Sequence, residues 1–320
     1  MKVLITGSEG MIGQALVQLL SKSKIEIIGI DLFDCDSDEY LFYYNRDIRN
    51  PSFIEEVLCA HNDITHIVHL AARTDLNGET LKDYDTNTIG TRNICMLANR
   101  LSYLKTICIT STQLVADISF GKVDHDLTNI IAPNLYGKSK QHTETIARAS
   151  LTKHFFIVRP TTIWGPNHNS HYLNFLKLLK LGLYFHPSPR SLHKSYGFVL
   201  NTVHQLERLI LNSQTISIGE TFYLCDYKPI DLLEYIDGIC ARLLFKKPFK
   251  INYVFAKILA LIGDLFGLLG IKVPYNSFRL KNIISCYTYE TKRLQEICGE
   301  VPHDFEEALD IYCEWIKKKI

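Results

Sequence analysis

KVLITGSEGMIGQALVQLL, residues 2–20, decides the fold. Val3, Leu4 and Ile5 make a short apolar run that ends at Thr6. Three glycines follow at intervals of three: Gly7, Gly10 and Gly13. Met11, Ile12, Ala15, Leu16, Leu19 and Leu20 then recur with helical spacing. The pattern reads strand, tight turn, amphipathic helix. Glycines let such a turn approach a pyrophosphate closely, and the helix start offers free N–H groups and a partial positive charge. An ordinary glycine-rich turn would share the spacing, and the next strand separates the two readings. IEIIGI, residues 25–30, ends in Asp31. A carboxylate there hydrogen-bonds both hydroxyls of an adenosine ribose and repels a 2′-phosphate. Leu32, Phe33 and Asp34 follow, with no basic residue among them. NAD is therefore expected rather than NADP.

The alternation continues through the first half of the chain. ITHIVHLAA (64–72), LKTICITS (104–111) and HFFIVRP (154–160) read as apolar strands. Helical stretches lie between them at 51–60, 87–100 and 136–151. The expected fold is α/β, a doubly wound parallel sheet covered by helices on both faces. Ligands of such sheets bind beyond the carboxyl ends of the strands, where Thr6, Asp31, Ala71, Ser111 and Pro160 all fall. After Gly165-Pro166 the pattern changes to loop with one short helix, then YGFVLNTVHQLERLI (196–210) and ETFYLCD (220–226) restore strand and helix signals. We expect a nucleotide-binding domain of residues 1–165 plus about 196–225. A smaller, mostly helical lobe would comprise about 166–195 plus 226–320.

Composition excludes several classes. A net charge of +1 gives no reason to expect nucleic acid. Nine scattered cysteines form no CxxC, which argues for reduced thiols in a cytoplasm and against a zinc site. The N-terminus lacks the apolar stretch of a signal peptide. His168, His171, His186 and His193 lie in a loop-like region, and no metal is expected. YVFAKILALIGDLFGLLGI, 253–271, is interrupted by Lys257, Asp264 and three glycines, so it reads as a helix buried on one or more sides. A membrane-surface or dimer contact is the second reading of that segment.

Taken together, these motifs resemble the extended short-chain dehydrogenase/reductase family, the nucleotide-sugar epimerase/dehydratase type with a Rossmann-type domain. TGSEGMIG is similar to the family's TGxxGxxG, which places Gly7, Gly10, Met11, Ile12 and Gly13 at the cofactor. RDIRN (46–50) resembles a segment in which Asp47 meets the adenine amino group and Ile48 the adenine face. HLAA, with Leu70, Ala71 and Ala72, looks like the strand end that passes the cofactor, and Pro160 ends a neighbouring strand. NTIGTRN (87–93) resembles NxxGTxN, with Asn87 as a buttress of the active-site strands. ITSTQLV, YGKSK and RPTTIWGP complete the series, in the family's order.

The resemblance implies a catalytic set of Thr112, Tyr136 and Lys140, with Ser111 beside the substrate oxygen. Tyr136 and Lys140 stand four apart, on one helix face. A lysine ammonium beside a phenol favours phenolate, so Tyr136 is expected to act as the base while Lys140 also grips the nicotinamide ribose. The family's dehydratases carry an acidic pair after the Ser/Thr, where this chain has Gln113 and Leu114. A 4-epimerase acting through a transient ketone is therefore favoured. The alternatives are a dehydrogenase or reductase of a sugar or hydrophobic alcohol, a 4,6-dehydratase, and a non-catalytic NAD-binding scaffold. On the substrate side Thr162 replaces the motif's Asn, and Lys194 stands where an arginine usually grips the diphosphate. The family often pairs through helices like 87–100 and 136–151, so a homodimer is expected.

Overall fold

The computed structural model describes residues 1–116, 131–168, 170–187, 191–271, 273 and 275–319. The side chain of His171 and residues 117–130 lie outside the described set.

The first two signals fold as read. Strand β1 (Lys2–Thr6) leads through the glycine turn into α1 (Met11–Lys22), and β2 (Glu26–Asp31) follows. β3 (Phe42–Asn45), α2 (Ser52–Ala60), β4 (His66–His69) and α3 (Thr91–Arg100) come next. β5 (Thr106–Thr110), α4 (Leu135–Ser150) and β6 (Phe155–Pro160) complete the alternating half. The later elements are β7 (Thr162–Trp164), α5 (Ser170–Lys180), β8 (Phe185–His186), β9 (His193–Lys194), β10 (Tyr196–Phe198) and α6 (Val199–Leu211). After them come β11 (Thr221–Leu224), β12 (Ile230–Asp231), α7 (Leu232–Leu243), β13 (Phe249–Lys250) and α8 (Tyr253–Leu268). The chain closes with α9 (Ser277–Ile284), α10 (Lys292–Cys298) and α11 (Phe305–Lys317).

Seven strands form one parallel sheet in the order β11-β6-β5-β4-β1-β2-β3. The fold is a doubly wound α/β sheet of the Rossmann type, as expected. Strand β3, which the sequence analysis passes over, closes one edge beside β2. Val3, Leu4 and Ile5 are wholly buried because β1 is central and covered on both faces. On one face α1 and α6 pack Leu16, Leu20, Leu206 and Leu209 against Val3, Ile5 and Val158. On the other, α2 and α3 pack Phe53, Val57, Ile94 and Leu97 against Leu4, Ile67 and Ile107. A separate core gathers α5, α7 and α11 around Trp164, which is buried among Phe198, Tyr235 and Tyr312. Each fully buried side chain of this size contributes roughly 1.5–3 kcal/mol.

The register sets the site. Thr6 pairs with Ile30 on one side and His69 on the other, so β1, β2 and β4 end level. Thr110 pairs with Val158, which brings the ends of β5 and β6 alongside.

Helix α8 is buried on one side, within the reading of 253–271 as a helix buried on one or more sides. The buried residues on it are Ala256, Ala260 and Gly263. Its large apolar side chains, including Phe255, Leu261 and Leu265, point outward and are exposed. A narrow stripe of small residues, rather than the apolar bulk of the helix, makes the contact. No helix among the described residues is long and apolar enough to cross a membrane.

Candidate active site

The glycine turn fits a dinucleotide on steric grounds. Gly7 has φ +72°, a left-handed backbone that glycine adopts freely. A Cβ there would stand 2.6 Å from the Ala71 amide nitrogen. A Cβ on Gly13 would overlap the Gly7 carbonyl, so the turn and α1 pack backbone to backbone. Asp31 closes the far side: its Oδ2 accepts from the Glu9 amide at 2.9 Å and its Oδ1 from the Leu32 amide at 2.7 Å. The carboxylate thus shapes the loop and remains half-exposed at the end of β2. Gly10, Met11 and Ile12 open α1 beside it, with Leu70, Ala71 and Ala72 facing across from the end of β4. These residues suit an adenosine ribose and a pyrophosphate.

Asp47 accepts from both the backbone amide and Nε of Arg49, at 2.9 and 3.1 Å, and that ion pair holds its carboxyl below the usual range. Ile48 is buried against Gly90, whose missing side chain makes room for it. His69 is a strut: its ring contacts Thr6 Oγ1 at 2.7 Å and Thr91 Oγ1 at 3.1 Å, tying β1 to α3. Burial keeps it neutral, with its pKa pushed down to about 3.

Asn87 is buried in a widened helical turn before α3. Its Oδ1 accepts from Arg73 N at 2.8 Å; its Nδ2 donates to Arg73 O at 3.0 Å and Ser139 Oγ at 2.8 Å. It therefore links the chain after β4 to α4. Ser139 Oγ donates onward to the Tyr136 carbonyl at 2.7 Å, and Thr143 Oγ1 to the Asn87 carbonyl at 2.6 Å. The start of α4 is fixed by Asn134, whose Oδ1 accepts from Gly137 N at 2.8 Å.

Tyr136 and Lys140 are both buried on the inner face of α4. Thr112 follows the end of β5, caps the short turn Gln113–Val115, and accepts from Leu114 N at 3.3 Å. Burial is the largest influence on the phenol and pushes it up to about 12, with the Thr112 hydroxyl pulling the other way. Lys140 is itself pushed down to about 8 by burial, against the opposing charge of Glu144. Ser111 Oγ is buried beside Thr112 with no hydrogen-bond partner among the described residues.

Gly137 is a site residue that the sequence analysis leaves without a role. A Cβ on it would overlap the Leu114 carbonyl, so α4 touches the turn that carries Thr112. The signal was present, a glycine inside YGKSK, but its contact lies 23 residues away in sequence. Gly137→Ala is expected to push α4 off that turn. Turnover should fall by at least about tenfold, as small misplacements of reacting groups do, while bound cofactor is retained. Unchanged turnover in steady-state assays would remove the contact from the argument.

The substrate-side residues also come together, through tyrosines that sequence reasoning missed. Gln113 Nε2 donates to Thr162 Oγ1 at 3.3 Å, and Tyr289 OH donates to Gln113 Oε1 at 3.0 Å. Thr162 Oγ1 lies 3.1 Å from Tyr287 OH. Lys194 Nζ sits 5.0 Å from the Tyr287 ring centroid and donates to the Asn282 carbonyl at 2.7 Å. Lys194 is 2% exposed, no carboxylate pairs with it among the described residues, and burial pushes its pKa down to about 8. Pro160 ends β6 beside this group, and Asn201 instead ties α6 to Asp226 and to the His303 backbone. Among the described residues no cluster of His, Cys, Asp and Glu is arranged to hold a metal.

Known proteins resemble the chain over its whole length. The 4-epimerase of N-acetyl-α-D-glucosaminyl-diphospho-ditrans,octacis-undecaprenol from Escherichia coli O157:H7 is 24% identical across 96% of this chain and 93% of its own. The UDP-glucose 4-epimerase of Thermotoga maritima, solved with UDP-glucose, superposes with a TM-score of 0.74 at 17% identity, covering 100% and 99% of the two chains. WbmH of Bordetella bronchiseptica, solved with NAD+, also gives 0.74, at 16% identity over 99% and 98%. The sequence profile of the NAD dependent epimerase/dehydratase family matches residues 3–180, and the chain belongs to that family of enzymes.

Proposed function

We propose that the protein is an NAD-dependent epimerase that inverts one carbinol of a sugar carried on a diphosphate, through a transient ketone. The observation that carries this reading is the buried set of Thr112, Tyr136 and Lys140 followed by Gln113, a neutral side chain held by Tyr289 and Thr162. A dehydratase would want acids after Thr112; here the neighbours can orient but not donate protons at neutral pH. The full-length similarity to a 4-epimerase supports the same choice.

NAD, when bound, supplies the hydride acceptor and then, on the return, the donor. Thr112 Oγ1 holds the reacting substrate oxygen. Tyr136 Oη takes the hydroxyl proton as the ketone forms and gives it back when the alcohol is restored. Lys140, on the same helix face, supplies positive charge that offsets the burial of the phenolate; each unit of pKa recovered corresponds to about 1.4 kcal/mol. Gly7, Gly10, Met11, Ile12 and Gly13 hold the pyrophosphate, Asp31 the adenosine ribose, and Asp47 and Ile48 border the adenine. Leu70, Ala71, Ala72, Asn87 and Pro160 wall the nicotinamide side. Lys194, a buried cation without a carboxylate, is the counter-charge for the sugar's diphosphate, although as a point charge it lacks arginine's fork. A homodimer through α3 and α4 accords with this reading, since Met96 is exposed on α3.

Purified protein incubated with NAD and diphosphate-linked sugars should interconvert two ring epimers with no net change in NADH absorbance. NADH formed in step with product would instead establish a dehydrogenase, and loss of water from the sugar a dehydratase.

A further inference from the structure

Helix α8 is inside out for a helix in water. An amphipathic helix ordinarily turns its large apolar residues to the core and polar ones to solvent. Here Ala256, Ala260 and Gly263 face the protein, and Val254, Phe255, Ile258, Leu261, Leu265 and Leu268 face away. Phe255 is 62% exposed, Leu261 55% and Leu265 61%. The packing itself selects this orientation: Gly263 lies so close to the Tyr275 carbonyl that any side chain there would overlap it. Further large apolar residues are exposed on the β8–β13 ribbon and the turn before it: Phe249, Leu181 and Leu183. Contiguous apolar surface of this extent marks a contact.

Charge identifies what the contact is. Residues 244–286 contain seven basic residues and one acidic residue, a net +6 in a chain whose total is +1. Lys246, Lys247, Lys250 and Lys257 are exposed around the apolar face. The lone acid, Asp264, is turned inward to accept from Ser277 N at 3.1 Å, where it starts α9. Two copies joined through this face would bring two +6 segments together, whereas an anionic bilayer would neutralise one. At about 1.5 Å per residue the helix is about 24 Å long, short of the roughly 30 Å hydrocarbon core. Such a helix lies in the interface rather than across it.

We propose that α8, with the β8–β13 ribbon, docks the enzyme on the surface of an anionic membrane. The docking face shares a wall with the candidate site. α9 packs under α8 through Ala256, Ala260 and Leu280, and its Asn282 carbonyl accepts from Lys194 Nζ. The chain leaving α9 carries Tyr287 to Thr162. A membrane under α8 therefore presents its headgroup layer to the diphosphate end of the pocket. On the epimerase reading above, the sugar diphosphate is then carried on a polyprenyl lipid rather than a nucleoside.

Docking is tested on the full chain without reference to activity. Co-sedimentation is measured with vesicles of phosphatidylcholine and phosphatidylglycerol at 3:1, and of phosphatidylcholine alone. Wild type should pellet with the anionic vesicles and be released by high salt. The triple variant Phe255→Ser, Leu261→Ser, Leu265→Ser should bind at least tenfold less, with unchanged circular dichroism and NAD binding. Wild type left in the supernatant of both vesicle types overturns the proposal. So does a triple variant that pellets like wild type. If the variant becomes smaller by light scattering while vesicle binding is absent in both forms, the face joins two copies and the proposal fails.

The carrier is tested by competing a polyprenyl-diphosphate N-acetylhexosamine in anionic vesicles against UDP-N-acetylhexosamine. Preference for the lipid-linked sugar by tenfold or more supports the lipid carrier; preference for the nucleotide overturns that part and leaves docking standing. Turnover of neither sugar, with vesicle binding intact, defeats the epimerase reading alone.

Discussion

Tyr136→Phe is expected to lower kcat by about 100- to 10,000-fold, the usual contribution of a positioned acid/base. That range corresponds to about 3–5.5 kcal/mol of transition-state stabilisation. The phenylalanine should fold into the same place. The neighbouring hydrogen bond from Ser139 goes to the Tyr136 carbonyl, not to its phenol, and the ring packs beside Tyr84 with centroids 6.2 Å apart. NAD binding and thermal stability should therefore stay close to wild type, and KM should change far less than kcat. Because burial holds the phenol up to about 12, the proton it exchanges is not released by bulk solvent at neutral pH. A base that ionises only at high pH should leave the wild-type rate still climbing through neutral pH, up to the alkaline limit set by Lys140. The variant's residual rate should be flat there. Turnover within a few-fold of wild type would remove Tyr136 as the base, whatever the position of Thr112 and Lys140.

What could be read in the sequence was local. The strand, the glycine turn and the helix of residues 2–20 are set by neighbours within a few positions, and Asp31 follows one strand later. The parallel order of strands follows from their alternation with helices. Thr112, Tyr136 and Lys140 could be singled out because a strand end and a helix start, each with its own signal, lie beside them. Gly137 was not, because the atom it makes room for belongs to Leu114. Nor were Tyr287 and Tyr289, which reach Thr162 and Gln113 across more than 120 residues. Lys140 shows the same limit in its electrostatics. Spacing put it beside a phenol, but how burial weighs against charge depends on everything packed around it. The apolar run at 253–271 announced a helix; only packing could say that its small residues face inward.

Glu144→Gln should cost stability and chemistry together, and the two effects can be pulled apart. Glu144 lies one turn beyond Lys140 on α4 and grips Arg159 through two hydrogen bonds of 2.8 Å. Both side chains are nearly inaccessible, Arg159 at 1% and Glu144 at 10%. Arg159 continues to Tyr223 OH at 3.0 Å, and Tyr223 stacks on Tyr289 with centroids 4.0 Å apart, next to Gln113. Neutralising Glu144 leaves the guanidinium buried without its counter-charge, which typically costs about 3–5 kcal/mol, readable by urea denaturation. The same carboxylate raises the pKa of Lys140 against burial. Without it Lys140 loses its proton at lower pH, so the alkaline limb of kcat/KM should move down from about 8. The double variant Glu144→Leu, Arg159→Met removes both buried charges and should recover most of the stability, as apolar replacements of buried pairs commonly do. It still lacks the carboxylate, so its alkaline limb should stay down with that of Glu144→Gln while its stability recovers. If all three share one alkaline limb while stability changes as expected, the ion pair is a packing element only. Lys140 then takes its pKa from burial and from the cofactor side of the pocket.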